Sequence, residues 1–136
     1  MPIIILMTID AMFLVVAVLL VWQVLLLIPM VPGMLIDTRD FSDLPRWQFN
    51  GFNILLTSLG LSTFIAAGYA LAEKQLAFWA ALFIGTIFLV LTALDLFKVF
   101  PNVKDKPPVQ LLVLEAIGFA SAGVLATVAF YSIRLI

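Results

Sequence analysis

Four ionisable side chains stand inside or at the edge of long apolar stretches of this sequence and could do chemistry there: Asp10, Asp95, Lys98 and Glu115. The chain has no His and no Cys. That removes bis-His haem, thiolate iron–sulfur clusters, Cys/His zinc sites and Ser-His or Cys-His nucleophile pairs. Glycine-rich phosphate loops, paired metal-ligand motifs and a terminal lipidation Cys are missing as well. Carboxylates, hydroxyls, amides and aromatics remain, a thin kit for an enzyme, and neither catalysis, a cofactor nor a metal is expected.

Asp95 and Glu115 flank one loop, and counting outward from that loop puts both at a similar depth on the same membrane side. A carboxylate in hydrocarbon costs ~2.5–3.5 kcal/mol on insertion scales, so such groups face protein or water. Lys98 follows Asp95 by one helical turn and can snorkel outward or pair with either acid. An Asp95/Lys98/Glu115 cluster is therefore expected beneath one face. It reads in two ways: three charges that lock two helices in register, or a proton- or cation-linked site in which neighbouring carboxylates favour binding of positive charge. Asp10 also has two readings. Either it lies ~10 Å along a first span, paired with Arg134 or a partner subunit, or the span starts at Ala11 and Asp10 is interfacial.

The elements that must hold these groups follow from composition. In 136 residues, 65% are hydrophobic and 11% charged, against about 45–50% and about 25% in a soluble domain. Mean hydropathy is +1.24. Fifteen charges could not cover a water-soluble globule of this size, and with a net charge of −1 no basic patch is available for nucleic acid. Soluble domain, disordered chain and nucleic-acid binder are excluded.

Uncharged stretches run from Ala11 to Ile36, Trp47 to Ala72, Gln75 to Leu94 and Ala116 to Ile133. About 20 apolar residues in a helix cross hydrocarbon. Four crossings are expected, at Ile3–Val31, Phe52–Ala72, Leu76–Phe97 and Val109–Ile133. Lipid offers no partner for an open sheet edge, so the fold class is all-α: one domain, an integral membrane bundle of four transmembrane helices with short loops. Pro29 and Pro32-Gly33 should kink or stop the first helix. Asp37 to Trp47 reads as a loop or short helix at the headgroups, and Asn50-Gly51 as the turn into the second span. Glu73-Lys74-Gln75 forces a tight, solvated hairpin. Pro101, Pro107 and Pro108 keep helix out of the last loop.

Loops one and three hold Arg39, Arg46, Lys98, Lys104 and Lys106; the opposite side holds Lys74 and Arg134. Positive residues favour the cytoplasm, which places those loops inside and both termini outside, in a bacterial inner (cytoplasmic) membrane. Met1-Pro2-Ile3-Ile4-Ile5 carries no basic n-region, so the first helix reads as retained. Tyr69, Trp79 and Tyr131 fall near the outer span ends and Trp47 in loop one, as an interfacial belt would. Trp22 and Gln23 lie deeper.

Helices in lipid pack through small residues. Gly118, Ala122, Ala126 and Ala129 form such a face in the fourth span, on the same stripe as Glu115. Ala81, Gly85, Thr92 and Asp95 form another in the third, interrupted by Phe88; Asn53, Thr57, Gly60 and Ala67 form one in the second. The three faces are expected to meet, as a packing seam or as the lining of a path. The short hairpin loops, with Leu111-Leu112-Val113-Leu114-Glu115-Ala116-Ile117-Gly118 opening the last span, resemble small DoxX-like proteins in topology and general composition; no site residue is carried over. The expected role is a non-catalytic accessory or structural subunit packed in lipid against other membrane subunits or copies of itself. The alternative is a small oligomeric proton- or cation-linked transporter or channel using Asp10, Asp95 and Glu115.

Overall fold

The computed structural model describes the backbone of residues 2–33, 35–101 and 103–136, and their side chains from residue 8 onward. The helices are α1 (Pro2–Met30), α2 (Arg46–Leu71), α3 (Leu76–Leu96) and α4 (Val109–Leu135). Together they make up 76% of the chain, and no strand occurs among the described residues. All four are long and apolar enough to cross a membrane, over Thr8–Met30, Arg46–Leu71, Leu76–Leu96 and Val109–Leu135.

The helices alternate in direction. Consecutive neighbours pack side by side, α4 closes the ring against α1, and α2 lies diagonally opposite α4. The closest pair is α3 with α4, and the residues explain why. Leu111, Glu115, Gly118, Ala122, Leu125, Ala129 and Ser132 are the buried positions of α4; they alternate at intervals of four and three, the spacing of a straight interhelical seam. A Cβ on Gly85 of α3 would stand 3.2 Å from the Ala122 carbonyl oxygen and from the Ala126 nitrogen. Only glycine lets the two backbones come this near.

At the end of the bundle that carries the termini, the core is apolar. Phe13 and Phe78 stack with ring centroids 4.3 Å apart, among the buried Ala66, Ala70, Ala77 and Ala81.

Two expectations need correcting. Asn50-Gly51 is helical, and α2 begins at Arg46, directly after Pro45. Asn-Gly marks a turn between strands, but Gly is tolerated within helices that span lipid, and Pro is well suited to the position before a helix because it lacks the N–H a helix start would leave unpaired. The first helix stops where its prolines predict: Pro29 lies in the last turn of α1, which ends one residue later at Met30. The three small-residue faces do not all meet: Gly60 of α2 approaches Leu27 of α1, and Thr57 is exposed. Spacing alone identifies a helix face but not the neighbour that covers it.

Candidate functional site

The opposite end of the bundle is polar, and loop one makes it so. After α1 stops, Gly33 adopts φ +77°, a left-handed conformation open to glycine without strain. Its N–H donates to the Asp37 carbonyl at 2.9 Å, and the Ile36 N–H donates back to Pro29 at 3.2 Å. The chain thus folds back under the bundle. The reversal buries Asp37 and Arg39, which are only 1% and 8% exposed.

Arg39 clamps two segments together. Its Nε and Nη2 donate to Asp37 Oδ1 and Oδ2 at 2.8 and 2.7 Å. Its Nη1 and Nη2 donate to Asp95 Oδ1 and Oδ2 at 3.1 and 3.3 Å. Planar two-pronged pairing of this kind suits guanidinium and carboxylate. Burial works against the charge on Arg39, but the two carboxylates outweigh it and hold the guanidinium above its ordinary range. The clamp ties loop one to the end of α3. Loop three joins in where the Asp40 N–H donates to Asp105. On the outer side the Arg39 guanidinium sits 5.2 Å from the Phe41 ring centroid, and Phe41 leans on Phe49.

Glu115, in the second turn of α4, completes the group. It is 6% exposed, and the Asp95 carboxyl lies within hydrogen-bonding reach of it. Two ionised carboxylates offer each other only acceptors. Glu115 Oε2 is buried without a hydrogen-bond partner. A cavity of about 50 Å³ opens beside it, bounded by Asp37, Arg39, Thr92, Asp95 and apolar side chains such as Phe88 and Leu27. That is room for a few waters, since one needs roughly 10–15 Å³. Three carboxyls and one guanidinium, which pairs with Asp37 and Asp95, therefore surround a small, mostly apolar space.

Asp95 and Glu115 are thus brought together as expected, but Lys98 is not with them. Lys98 is exposed and lies beyond the end of α3 with a left-handed φ of 59°. Arg39 takes the place expected of it. Asp10 is exposed on α1 and forms no ion pair with Arg134 among the described residues; Arg134 instead stands over the Phe130 ring. Of the packing residues, Gly85, Ala122 and Ala126 lie at the α3–α4 contact, while Gly118 approaches Leu26 and Met30 of α1. Trp22 donates to Ser121 at 2.9 Å, and the buried Gln23 donates to the Gly118 carbonyl at 3.4 Å. Both contacts join α1 to α4. Among the described residues no group of three acidic side chains is arranged to hold a metal ion.

A second polar feature lies on the outside of α2. Asn50, Thr57 and Ser58 are exposed along one flank of a membrane-length helix, and Asn53 on the same flank has a buried, unpartnered Oδ1.

No curated protein and no solved structure matches the chain. A family model does, that of a domain of unknown function, DUF8051, across residues 12–135. The match covers most of α1, the whole of the other three helices and every residue of the Arg39 group, and the chain belongs to the DUF8051 family.

Proposed function

We propose that the chain is a non-catalytic integral membrane protein that works as an accessory or structural subunit, packed in lipid against a larger membrane complex. The observation that carries this reading is the polar flank of α2. Asn50, Asn53, Thr57 and Ser58 share a side of the helix on which, among the described residues, all but the half-buried Asn53 are exposed. In hydrocarbon a bare amide is costly, whereas Asn, Ser and Thr on facing helices bond to each other. Such a flank suits a neighbouring membrane helix. The small cavity and the short loops leave little room for a substrate of any size.

The proposed setting is a bacterial inner membrane, with both termini outside and loops one and three in the cytoplasm. Even without Arg39, whose charge is taken up by its clamp, Arg46, Lys98, Lys104 and Lys106 outnumber Lys74 and Arg134, which keeps the bias in the same direction.

Native co-purification in mild detergent, followed by mass spectrometry, tests the reading. A larger membrane protein should come with the chain. Replacing Asn53→Leu, Thr57→Val and Ser58→Ala together should release it while the melting temperature of the isolated bundle stays unchanged. A chain recovered only as a monomer, or partners that ignore the triple change, would overturn it. The buried carboxyls favour a second reading, a small oligomeric proton- or cation-linked transporter; flux across vesicles reconstituted with the pure chain is its test.

A further inference from the structure

We propose that Glu115 and Asp95 form a binding site for a single monovalent cation, a proton or a sodium ion, in the cavity at the loop-one end of the bundle. The geometry sets the charge balance. Arg39 gives its two shortest bonds to Asp37, and its bonds to Asp95 are longer. One guanidinium thus answers about one carboxylate, and the Asp95–Glu115 pair is left in excess of negative charge at low dielectric.

Glu115 Oε2 points into protein with no donor in reach, although the residue is more than nine-tenths buried. Beside a second buried carboxylate, an oxygen in that position is suited to carry a proton, which the Asp95 oxygens can accept, or to coordinate a cation. Thr92 also lines the cavity; its hydroxyl proton is spent on the Phe88 carbonyl at 2.7 Å, which leaves its oxygen only an acceptor role. The resulting set of hard oxygens suits an alkali ion or a proton. With Asp37 taken up by Arg39, only Asp95 and Glu115 have charge to spare, fewer ionised ligands than a divalent metal would want.

The surroundings of Glu115 are defined on every side. Asp95 of α3 and Asp37 and Arg39 of loop one are the charged groups near it. The side chains that α1 and α2 present to the cavity, among them Leu27, Met30, Phe52 and Leu56, are all uncharged. Entry is from the loop side. A larger pocket of about 220 Å³ between loops one and three shares Arg39, Asp95 and Pro101 with the cavity and is rimmed by Lys98 and Lys104.

The chain has two glutamates, Glu73 and Glu115, and Glu73 is exposed in the α2–α3 turn. A Glu73→Gln protein grown on carboxyl-13C glutamate therefore reports Glu115 alone in the infrared. Bound as a proton, the cation appears as the band of an un-ionised carboxyl in neutral buffer, indifferent to exchange of choline chloride for sodium chloride. Bound as sodium, it appears as carboxylate bands that shift saturably with that exchange. Carboxylate bands that ignore both sodium and pH, from mildly acidic buffer upward, would overturn the site.

In a second measurement, the change of melting temperature with sodium or with pH should be lost in Glu115→Gln, and its persistence would count equally against the site. If that variant does not fold, the infrared result on the unaltered Glu115 still decides. The site underlies the second functional reading but is read separately from it. Binding without flux removes the transporter and keeps the site; flux with an inert Glu115 removes the site.

Discussion

The two ends of this bundle solve the same packing problem with opposite chemistry. At the terminal end, Phe13 stacks on Phe78 among alanines, an apolar core suited to lipid and protein alike. At the loop end, Asp37, Arg39, Asp95 and Glu115 are buried together. Apolar packing inside a membrane gains little from moving surface out of water, because lipid tails are as apolar as the core. What it contributes is close contact, small per atom and tolerant of change. A buried ion group behaves differently. It adds little net stability when complete, but losing one partner strands the others. The terminal end should therefore yield gradually to mutation and the loop end abruptly.

The largest effect expected is at Arg39. Arg39→Leu leaves Asp37 and Asp95 buried without their counter-charge, and breaking such a group costs about 3–5 kcal/mol. Unfolding of the purified protein by titration with a denaturing detergent should show it. Arg39→Lys should fall between the two, because an ammonium cannot match the planar fork. A triple variant with Asp37→Asn and Asp95→Asn added to Arg39→Leu should regain part of the loss. A single Arg39→Leu as stable as the parent would erase the difference between the ends.

At the terminal end, Phe78 is fully buried. Phe→Ala in a water-soluble core costs roughly 3–5 kcal/mol. Here the transfer from water is largely absent, leaving lost contact, so Phe78→Ala should cost about 1–3 kcal/mol in the same titration. A loss matching that of Arg39→Leu would mean that the stacked rings, not the clamp, hold the bundle.

What is legible in the sequence tracks the same division. Apolar runs and small-residue spacing are local signals, and they locate four spans, the Gly85 face of α3 and the common depth of Asp95 and Glu115. The clamp is not legible, because its cation comes from a loop. Helical arithmetic connects Asp95 to Lys98, one turn away, but it cannot see Arg39 returning from 56 residues earlier. A signal does exist in Pro32-Gly33 followed by Asp37-Thr38-Arg39: a reversal, then an acid and a base two apart. It is easily missed, because a loop cation reads first as a topology marker. The start of α2 is obscured for a related reason, since Asn50-Gly51 carries a turn meaning that lipid-embedded helices override.

Lys98 offers a sharper test of that lesson with a smaller effect. If Arg39 is the cation of the cluster and Lys98 only a solvated side chain, Lys98→Gln should stay within about 0.5 kcal/mol of the parent, as surface changes do. A loss comparable to that of Arg39→Leu would restore Lys98 to the group and undo the comparison at its polar end.

The smallest effect lies outside the membrane, in the turn that follows the clamp. The Asp40 carboxylate accepts the Ser42 N–H at 2.9 Å. Its hydrogen bonds from the Ser42 backbone and side chain hold Asp40 below the usual carboxylate range. A carboxyl whose pKa is lowered by folding supports the fold above its unfolded pKa and loses that support as pH falls through the folded value. The Ser42 amide resonance should therefore stay constant from neutral pH down through the ordinary carboxylate range and move only below it. Because Asp40 is fully exposed, the bundle should keep its melting temperature while this happens. The buried Asp37–Arg39–Asp95 clamp just upstream should not feel the turn open, and an Arg39 side-chain signal that moved together with Ser42 would show instead that loop one titrates as a unit and that its buried and solvated halves are not separate.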